Sequence, residues 1–225
     1  MSGFVQLHCH SNWSLLDGAI SAEELPEMAA RRGYEAVALT DHDSLLGAVR
    51  FTRAARRAGV KPLYGAELTL EPEQRDSDET KRPDDRLHHV TALARNATGY
   101  GNLCRLISRG HLSNARDGLG QTAKRKRGKP SITYEDLFER AEGLFVLSGC
   151  ERGLVARQAA SGRVDEAVET ALRLRSELGD GFRIEVFDHR GYGHRTLRDR
   201  LLGVAKDSGV PAVATNNGHY AAPRG

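Results

Sequence analysis

Two histidines one residue apart, His8 and His10, follow a short apolar run in the segment "VQLHCHSNWSLLDG". Alternate residues of a β-strand share a face, so both imidazoles can reach the same ligand. An acidic residue, Asp17, follows a few residues later. Imidazole and carboxylate groups are common ligands of transition metals, so this segment is a candidate metal site.

Further polar residues lie in or beside other apolar runs: Asp41, His42, Glu67, His88, His89, Cys150, Asn217 and His219. In an α/β barrel the side chains that do chemistry lie just past the carboxyl ends of the strands. Most of these residues follow their runs as this rule requires, whereas His88 and His89 precede theirs. A lone histidine at a strand end is more often structural, but agreement across five strand ends favours a shared metal cluster.

The chemistry of these side chains limits the choice of metal. Imidazole, carboxylate and a single thiolate suit zinc, or a mixture of zinc, manganese and iron, better than magnesium or calcium. Eight or nine candidate ligands are too many for one tetrahedral ion. We therefore expect two or three divalent ions that share a bridging carboxylate, a typical arrangement for hydrolysis of phosphate esters by activated water.

The elements that must position these ligands alternate along the chain. Seven apolar runs predict strands at Phe4–Leu7, Ala36–Thr40, Lys61–Leu68, Val90–Ala94, Leu144–Gly149, Phe182–Phe187 and Val210–Thr215. Helical patterns lie between them: Ser21 and Glu24 form a candidate capping box, and Gly33 and Gly59 are candidate helix ends. The stretch "HRTLRDRLLGVAKDSG" repeats this scheme before the last run. The alternation predicts an α/β fold, either a barrel or a doubly wound sheet.

The composition is that of an ordinary globular protein: 225 residues, 39% hydrophobic, 28% charged and a net charge of +3. We expect one domain over residues 1–225, soluble and cytoplasmic, with no membrane partner. The three cysteines are widely spaced and fit neither a disulfide framework nor a zinc finger.

Two charged segments interrupt the alternation and are predicted to be exposed loops, residues 71–86 and residues 122–130. The second contains the cationic cluster Lys124–Lys129. Its alternative interpretations are a solvated loop and a contact to a phosphate backbone.

The motifs "HCHS", "ALTDHD", "GAEL", "HHVTALARN", "LSGC" and "ATNNGHY" occur in order across the chain. This set resembles the PHP (polymerase and histidinol phosphatase) domain family. The segments "LLDGA", "GYGNLCRLIS" and "ATNNGHYA" are similar to the N-terminal PHP domain of bacterial C-family DNA polymerases, especially the error-prone, damage-inducible branch. The resemblance implies a distorted seven-stranded β/α TIM-like barrel with a trinuclear metal centre, excised from a longer polymerase chain.

The resemblance also assigns ligands to three ions. The first ion would take His8, His10, Glu67 and Asn217; the second Glu67, His89 and Cys150; the third Asp17, His42 and His219. Family members with a full ligand set have aspartate at the position of Asn217. The error-prone branch commonly has this asparagine, a neutral and weaker ligand.

Simpler interpretations stand beside these assignments. Asp17 would otherwise be a turn residue, Cys150 a buried core residue, and His89 a surface histidine. Asp41 is predicted to orient an imidazole, with a helix N-cap as its alternative. Arg152 is predicted to hold a phosphate, with an exposed charge as its alternative.

Two more histidines, His189 and His194, follow the sixth run. They are expected to be rim residues of the same mouth rather than ligands.

The function that we expect is metal-dependent phosphoester hydrolysis within an error-prone polymerase for DNA replication, repair and translesion synthesis. A DNA 3′ end would be the substrate of a 3′–5′ exonuclease. The partners would be DNA, the remaining polymerase domains, and other mutasome or replisome proteins. The alternatives are a metal-stabilised scaffold with weak activity and a free-standing phosphatase of the histidinol-phosphate type. No palm-type acidic pair follows the motifs, so nucleotide transfer would belong to other sequence.

Overall fold

A computed structural model describes residues 3–72, 86–113 and 130–221. The described chain forms an α/β fold. Its helices are α1 (Glu24–Arg31), α2 (Ala48–Ala58), α3 (Ala97–Ser113), α4 (Tyr134–Glu139), α5 (Leu154–Ala160), α6 (Val164–Leu178) and α7 (His194–Ser208). Its strands are β1 (Ala36–Leu39), β2 (Lys61–Leu70), β3 (His88–Ala94), β4 (Leu144–Leu147), β5 (Phe182–Val186) and β6 (Ala212–Ala214). The alternation of strands and helices predicted from the sequence is confirmed.

The six strands form one curled sheet in the order in which they occur in the chain, from β1 to β6. β1 pairs with β2 in parallel, and β4, β5 and β6 also pair in parallel. β3 is antiparallel to both of its neighbours. The amino end of β3 therefore lies at the same edge of the sheet as the carboxyl ends of the other strands.

The first apolar run, Phe4–Leu7, is the one predicted strand that does not form as such in the described part of the chain. Gln6 bridges to Val37 of β1, and Cys9 bridges to Gly218 beyond β6. Each bridge is isolated because the segment pairs with β1 at Gln6 and with the residues after β6 at Cys9. The sheet thus has six strands where we expected seven, and a closed seven-stranded barrel is not confirmed.

Helix ends follow the predicted capping residues. The backbone N–H of Glu24 donates to the hydroxyl of Ser21, and the Glu24 carboxylate accepts from the N–H of Ser21, which is the predicted capping box. Helix α2 ends at Gly59, which has a left-handed conformation with φ 69°.

Apolar side chains fill both faces of the sheet. The outer face packs against the helices in a large cluster that includes Leu103 and Leu106 of α3 and Leu201 of α7. The inner face carries a smaller cluster to which several strands and the amino-terminal segment contribute: Leu7, Ala38, Leu63, Leu93, Phe145, Leu147 and Val213. This inner cluster is the apolar floor below the polar mouth of the sheet.

Most of the predicted loop at 71–86, and the predicted loop at 122–130 except its last residue, lie outside the described residues. So does the cationic cluster Lys124–Lys129. No helix in the described ranges is both long and apolar enough to span a bilayer.

Gly149 lies between β4 and Cys150 with φ +89°, and a β-carbon there would lie 2.0 Å from the backbone oxygen of His89. We expect Gly149→Ala to lower the free energy of unfolding by about 2–5 kcal/mol, because left-handed strain adds to the steric overlap. Gly33→Ala is the matched control, since Gly33 has φ +72° but no atom within 4 Å of its β-carbon position. That variant should lose only about 1–2 kcal/mol. Urea unfolding of both variants makes the comparison, and equal losses would contradict the steric argument.

Candidate metal centre

A buried carboxylate, Glu67 of β2, is the centre of the site. One of its oxygens, Oε2, lies 2.9 Å from His8 Nε2, 3.7 Å from His10 Nε2 and 3.5 Å from Cys150 Sγ. The other oxygen, Oε1, faces Nδ1 of His42 at 3.0 Å and also contacts Nδ1 of His89. Four imidazoles and one thiol thus surround a single carboxylate.

A second carboxylate, Asp17, extends this group toward solvent. Its Oδ2 atom lies 2.7 Å from His42 Nε2 and 3.2 Å from His219 Nε2. The ring of His219 stacks on that of His10, with centroids 4.4 Å apart. Direct contacts therefore join eight of the nine sequence-predicted ligands: His8, His10, Asp17, His42, Glu67, His89, Cys150 and His219.

His89 reaches the site because β3 runs in the opposite direction to its neighbours. In the register of β2 and β3, His89 lies opposite Thr69, and Thr91 lies opposite Glu67. A histidine at the start of this strand therefore meets residues at the ends of the others. This reversal explains why His89 precedes its apolar run in the sequence.

Sequence reasoning missed Glu185 of β5, which is fully buried. Its Oε1 atom accepts hydrogen bonds from His8 Nδ1 at 2.6 Å and from the hydroxyl of Thr215 at 2.7 Å. A ligating histidine commonly has its other ring nitrogen held in this way. The signal was present in the sequence, since a charged residue interrupts the apolar run "FRIEVF".

Asp41 is linked by hydrogen bonds to His10 rather than to His42, the histidine next to it in the chain. Its carboxylate accepts hydrogen bonds from the hydroxyls of Ser11 and Ser14, at 2.8 and 2.7 Å. The Ser14 oxygen lies 3.1 Å from His10 Nδ1, so Asp41 orients His10 through this serine. Its alternative role as a helix N-cap is wrong, because α2 begins only at Ala48.

The contacts set the charges of the site. Burial lowers the pKa of His8, but the carboxylates of Glu185 and Glu67 outweigh it and raise this pKa to about 10. Burial lowers the pKa of His10 to about 4. For His42, burial is again outweighed by the nearby carboxylates, which raise its pKa to about 9. Burial raises the pKa of Glu67, yet the surrounding imidazoles hold it well below its usual range.

The residues fit a group of divalent cations. Buried polar atoms without a hydrogen-bond partner in the described part of the chain include His89 Nε2 and Asn217 Oδ1. Buried polar groups are normally paired, so these atoms suit ligands of an ion. Three overlapping sets of side chains can each place three ligand atoms within 4.8 Å of one another: His8, His10 and Glu67; His42, Glu67 and His89; His10, His42 and His219.

The site opens into a cleft of about 790 Å³. Asn217, the ninth predicted ligand, lines this cleft with φ 40°, and its backbone oxygen accepts from His219 Nδ1 at 2.8 Å. Arg152 also lines the cleft and is half-buried. Arg32, which sequence reasoning missed, lines it as well and donates to the carbonyl of Ala221. Two arginines thus line the cleft into which the candidate metal centre opens.

Comparison with known sequences gives a consistent result. Residues 6–189 match the PHP domain family. The chain is 38% identical over 97% of its length to the DNA polymerase III subunit alpha of Treponema pallidum. It is 37% identical over 96% of its length to the error-prone DNA polymerase of Symbiobacterium thermophilum, and 40% identical over 98% to that of Mycobacterium bovis. These matches cover only 18–19% of the relatives, so the chain spans about a fifth of their length.

Solved structures with a similar fold share little sequence with this chain. A protein of Bifidobacterium adolescentis, provisionally described as a metal-dependent phosphoesterase, has a TM-score of 0.60 at 18% identity. The match covers 98% of this chain and 90% of that protein. An amidohydrolase from Chromobacterium violaceum, solved with bound sulfate and no metal, has a TM-score of 0.57 at 17% identity, with coverages of 96% and 87%. Likeness at this level of identity concerns the fold alone.

We expect Glu185→Gln to weaken Zn²⁺ binding to the metal-free chain about 10–100-fold, because the amide cannot hold the His8 imidazole as a carboxylate does. Competition with a chromophoric chelator measures the affinity. Glu177→Gln, an exposed residue of α6, is the matched control and should bind as the unaltered chain does. Equal affinity for the two variants would contradict a role for Glu185 in orienting His8.

We expect metal binding at pH 7.5 to release protons. This pH lies below the pKa of about 10 for His8 and about 9 for His42, so both imidazoles carry an extra proton in the metal-free chain. Burial and the carboxylates of Glu67 and Glu185 raise the pKa of Cys150 well above its usual value, so its thiol is also protonated. Ligands must be deprotonated, so full loading should release about three protons and affinity should rise with pH.

Calorimetric titration with Zn²⁺ in buffers of different ionisation enthalpy counts the released protons. Cys150→Ser should release about one proton fewer, since its hydroxyl stays protonated when it binds a metal weakly. Binding without proton release would show that these histidines are not ligands.

Proposed function

Because this chain belongs to the PHP domain family, we propose that it is the metal-dependent phosphoesterase domain of an error-prone DNA polymerase. The observation that carries this proposal is the buried Glu67 carboxylate, surrounded by four imidazoles and a thiol at the base of a cleft flanked by Arg32 and Arg152. The similarity to DNA polymerases over nearly the whole chain supports the polymerase context.

The proposed substrate is the 3′ end of DNA, cleaved in the manner of a 3′–5′ exonuclease. Arg152 and Arg32 would bind the phosphate oxygens, since a guanidinium group pairs well with an anionic phosphate. Asp17 is 48% exposed at the cleft, so the centre can be reached from solvent.

The nine predicted ligands would hold up to three divalent ions, with zinc favoured and manganese or iron as alternatives. When bound, these ions would supply positive charge that acidifies water and stabilises charge on the phosphoryl oxygens. The protein's part is orientation. Glu185 holds His8 by Nδ1, and Asp41 holds His10 by Nδ1 through Ser14. Each imidazole then presents Nε2 to the centre.

The second candidate function is a metal-stabilised scaffold within the polymerase. Asn217 favours it, because an amide supplies no charge to the first ion. The free-standing phosphatase has less support, since the similar sequences are those of DNA polymerases.

Further parts of the proposal concern the setting of the domain. We propose that residues 1–225 form one domain of the distorted seven-stranded barrel, with the segment around Gln6 in the place of the seventh strand. Its bridges to β1 and to Gly218 support this arrangement. The partners would be the other polymerase domains and replisome or mutasome proteins, during replication, repair or translesion synthesis in the cytoplasm.

The test compares the unaltered chain with Asn217→Asp and with the neighbouring control Asn216→Asp. We expect Asn217→Asp to raise the metal content by up to one ion per chain and to increase nucleotide release from mismatched primer 3′ ends, because the added carboxylate strengthens the first site. Asn216→Asp should change neither quantity. Elemental analysis measures the metal content, and a gel assay measures nucleotide release. Histidinol phosphate is tested as the alternative substrate.

The outcomes distinguish the nuclease from the scaffold and from the phosphatase. Metal binding without cleavage of either substrate, in both the unaltered chain and Asn217→Asp, would favour the scaffold. Hydrolysis of histidinol phosphate alone would favour the phosphatase. Unchanged metal content in Asn217→Asp would contradict our explanation of the weak first site.

A further inference from the structure

A second group of metal-ligating side chains lies at the rim of the cleft, in Glu151, His189 and His194. One ligand atom from each residue lies within 4.8 Å of the other two. None of the three belongs to the nine residues of the central cluster. We propose that they form a separate site for one divalent transition-metal ion.

The two imidazoles are oriented toward the same carboxylate oxygen. His189 Nε2 donates to the backbone oxygen of Asn216 at 2.9 Å, which leaves Nδ1 facing Glu151 Oε1 at 3.9 Å. His194 Nε2 faces that oxygen at 3.4 Å. A backbone carbonyl that holds the second nitrogen is the usual partner of a ligating histidine.

Neighbouring residues hold the two rings in place. The buried Phe187 packs against both, with ring centroids 5.5 Å from His189 and 6.4 Å from His194. Gly191 lets the His194 ring lie close to the backbone, because a β-carbon there would be 2.8 Å from His194 Cδ2. A side chain at 191 would therefore displace this imidazole.

The distances suit a small ion. Bonds of about 2.0–2.2 Å in a tetrahedral zinc site place the ligand atoms about 3.3 Å apart. The observed separations of 3.4 and 3.9 Å from Glu151 Oε1 need little further closure. The side chains can make that movement because they are partly exposed, from 21% for His194 to 53% for Glu151.

The donor set and its position indicate what the site takes. Two imidazoles and one carboxylate match the ligands of an open zinc site, with a fourth position left for water or an anion. Glu151 and His189 also line the cleft that leads to the central cluster. An ion at the rim would present this open position to a phosphate group that lies in the cleft.

The experiment titrates the metal-free chain with Co²⁺ followed by its absorption spectrum, and with Zn²⁺ followed by elemental analysis. We expect Glu151→Gln and His189→Ala each to bind one ion fewer than the unaltered chain. His111→Ala, a histidine outside both clusters, is the matched control and should bind the full number. Glu151→Gln preserves the shape of a half-exposed side chain, so its loss of an ion would not come from unfolding.

A variant of the central cluster, His10→Ala, shows whether the rim site is independent. It should retain the ion that Glu151→Gln loses, with the same contribution to the Co²⁺ spectrum. Equal metal content in Glu151→Gln, His189→Ala and the unaltered chain would overturn the proposal in favour of a simple ion pair at the rim. Loss of every ion in His10→Ala would overturn it as well.

Discussion

The burial of the Glu67 carboxylate is the constraint on which the site depends. An unpaired charge in the interior costs several kcal/mol or more, so this group must be surrounded by cationic or hydrogen-bonding partners. The fold provides them from four separate segments: His8 and His10 before β1, His42 after β1, His89 in β3 and Cys150 after β4. The imidazoles pair with the carboxylate, and bound cations would take the place of their protons.

The directions of the strands bring these groups together at one edge of the sheet. Parallel strands place their carboxyl ends at one edge of the sheet, so Glu67, Glu185 and Cys150 meet there without distortion. β3 runs the other way and so contributes a residue from its beginning. On the inner face, apolar side chains such as Leu63 and Leu93 lie below the polar ones. Leu63 and Glu67 lie four residues apart on the same face of β2, so position along the strand separates an apolar floor from a polar mouth.

Much of this arrangement could be predicted from the sequence, because strand ends and helix caps have local signals. The apolar runs located all six strands, and the capping residues Ser21 and Gly59 located helix ends. Eight ligand positions converge as expected. Partners set by tertiary contact could not be read in this way: the serine that links Asp41 to His10 depends on a turn geometry that no local pattern specifies. The irregular pairing of the first run had no local signal either, since its residues resemble any other strand.

Asn217 lies at a position where a change of charge need not alter the fold. It has a positive φ of 40°, a conformation that asparagine and aspartate both tolerate better than most residues. The backbone would therefore accept a carboxylate here as readily as the amide. What differs is the negative charge available to the cations, which in the described cluster comes from Asp17, Glu67 and Glu185. Three divalent ions would carry more positive charge than these carboxylates and a Cys150 thiolate could neutralise, so a further carboxylate would favour full occupancy. Under the proposed function, one charge at position 217 then decides between a phosphoesterase and a scaffold. The local backbone accepts either asparagine or aspartate there.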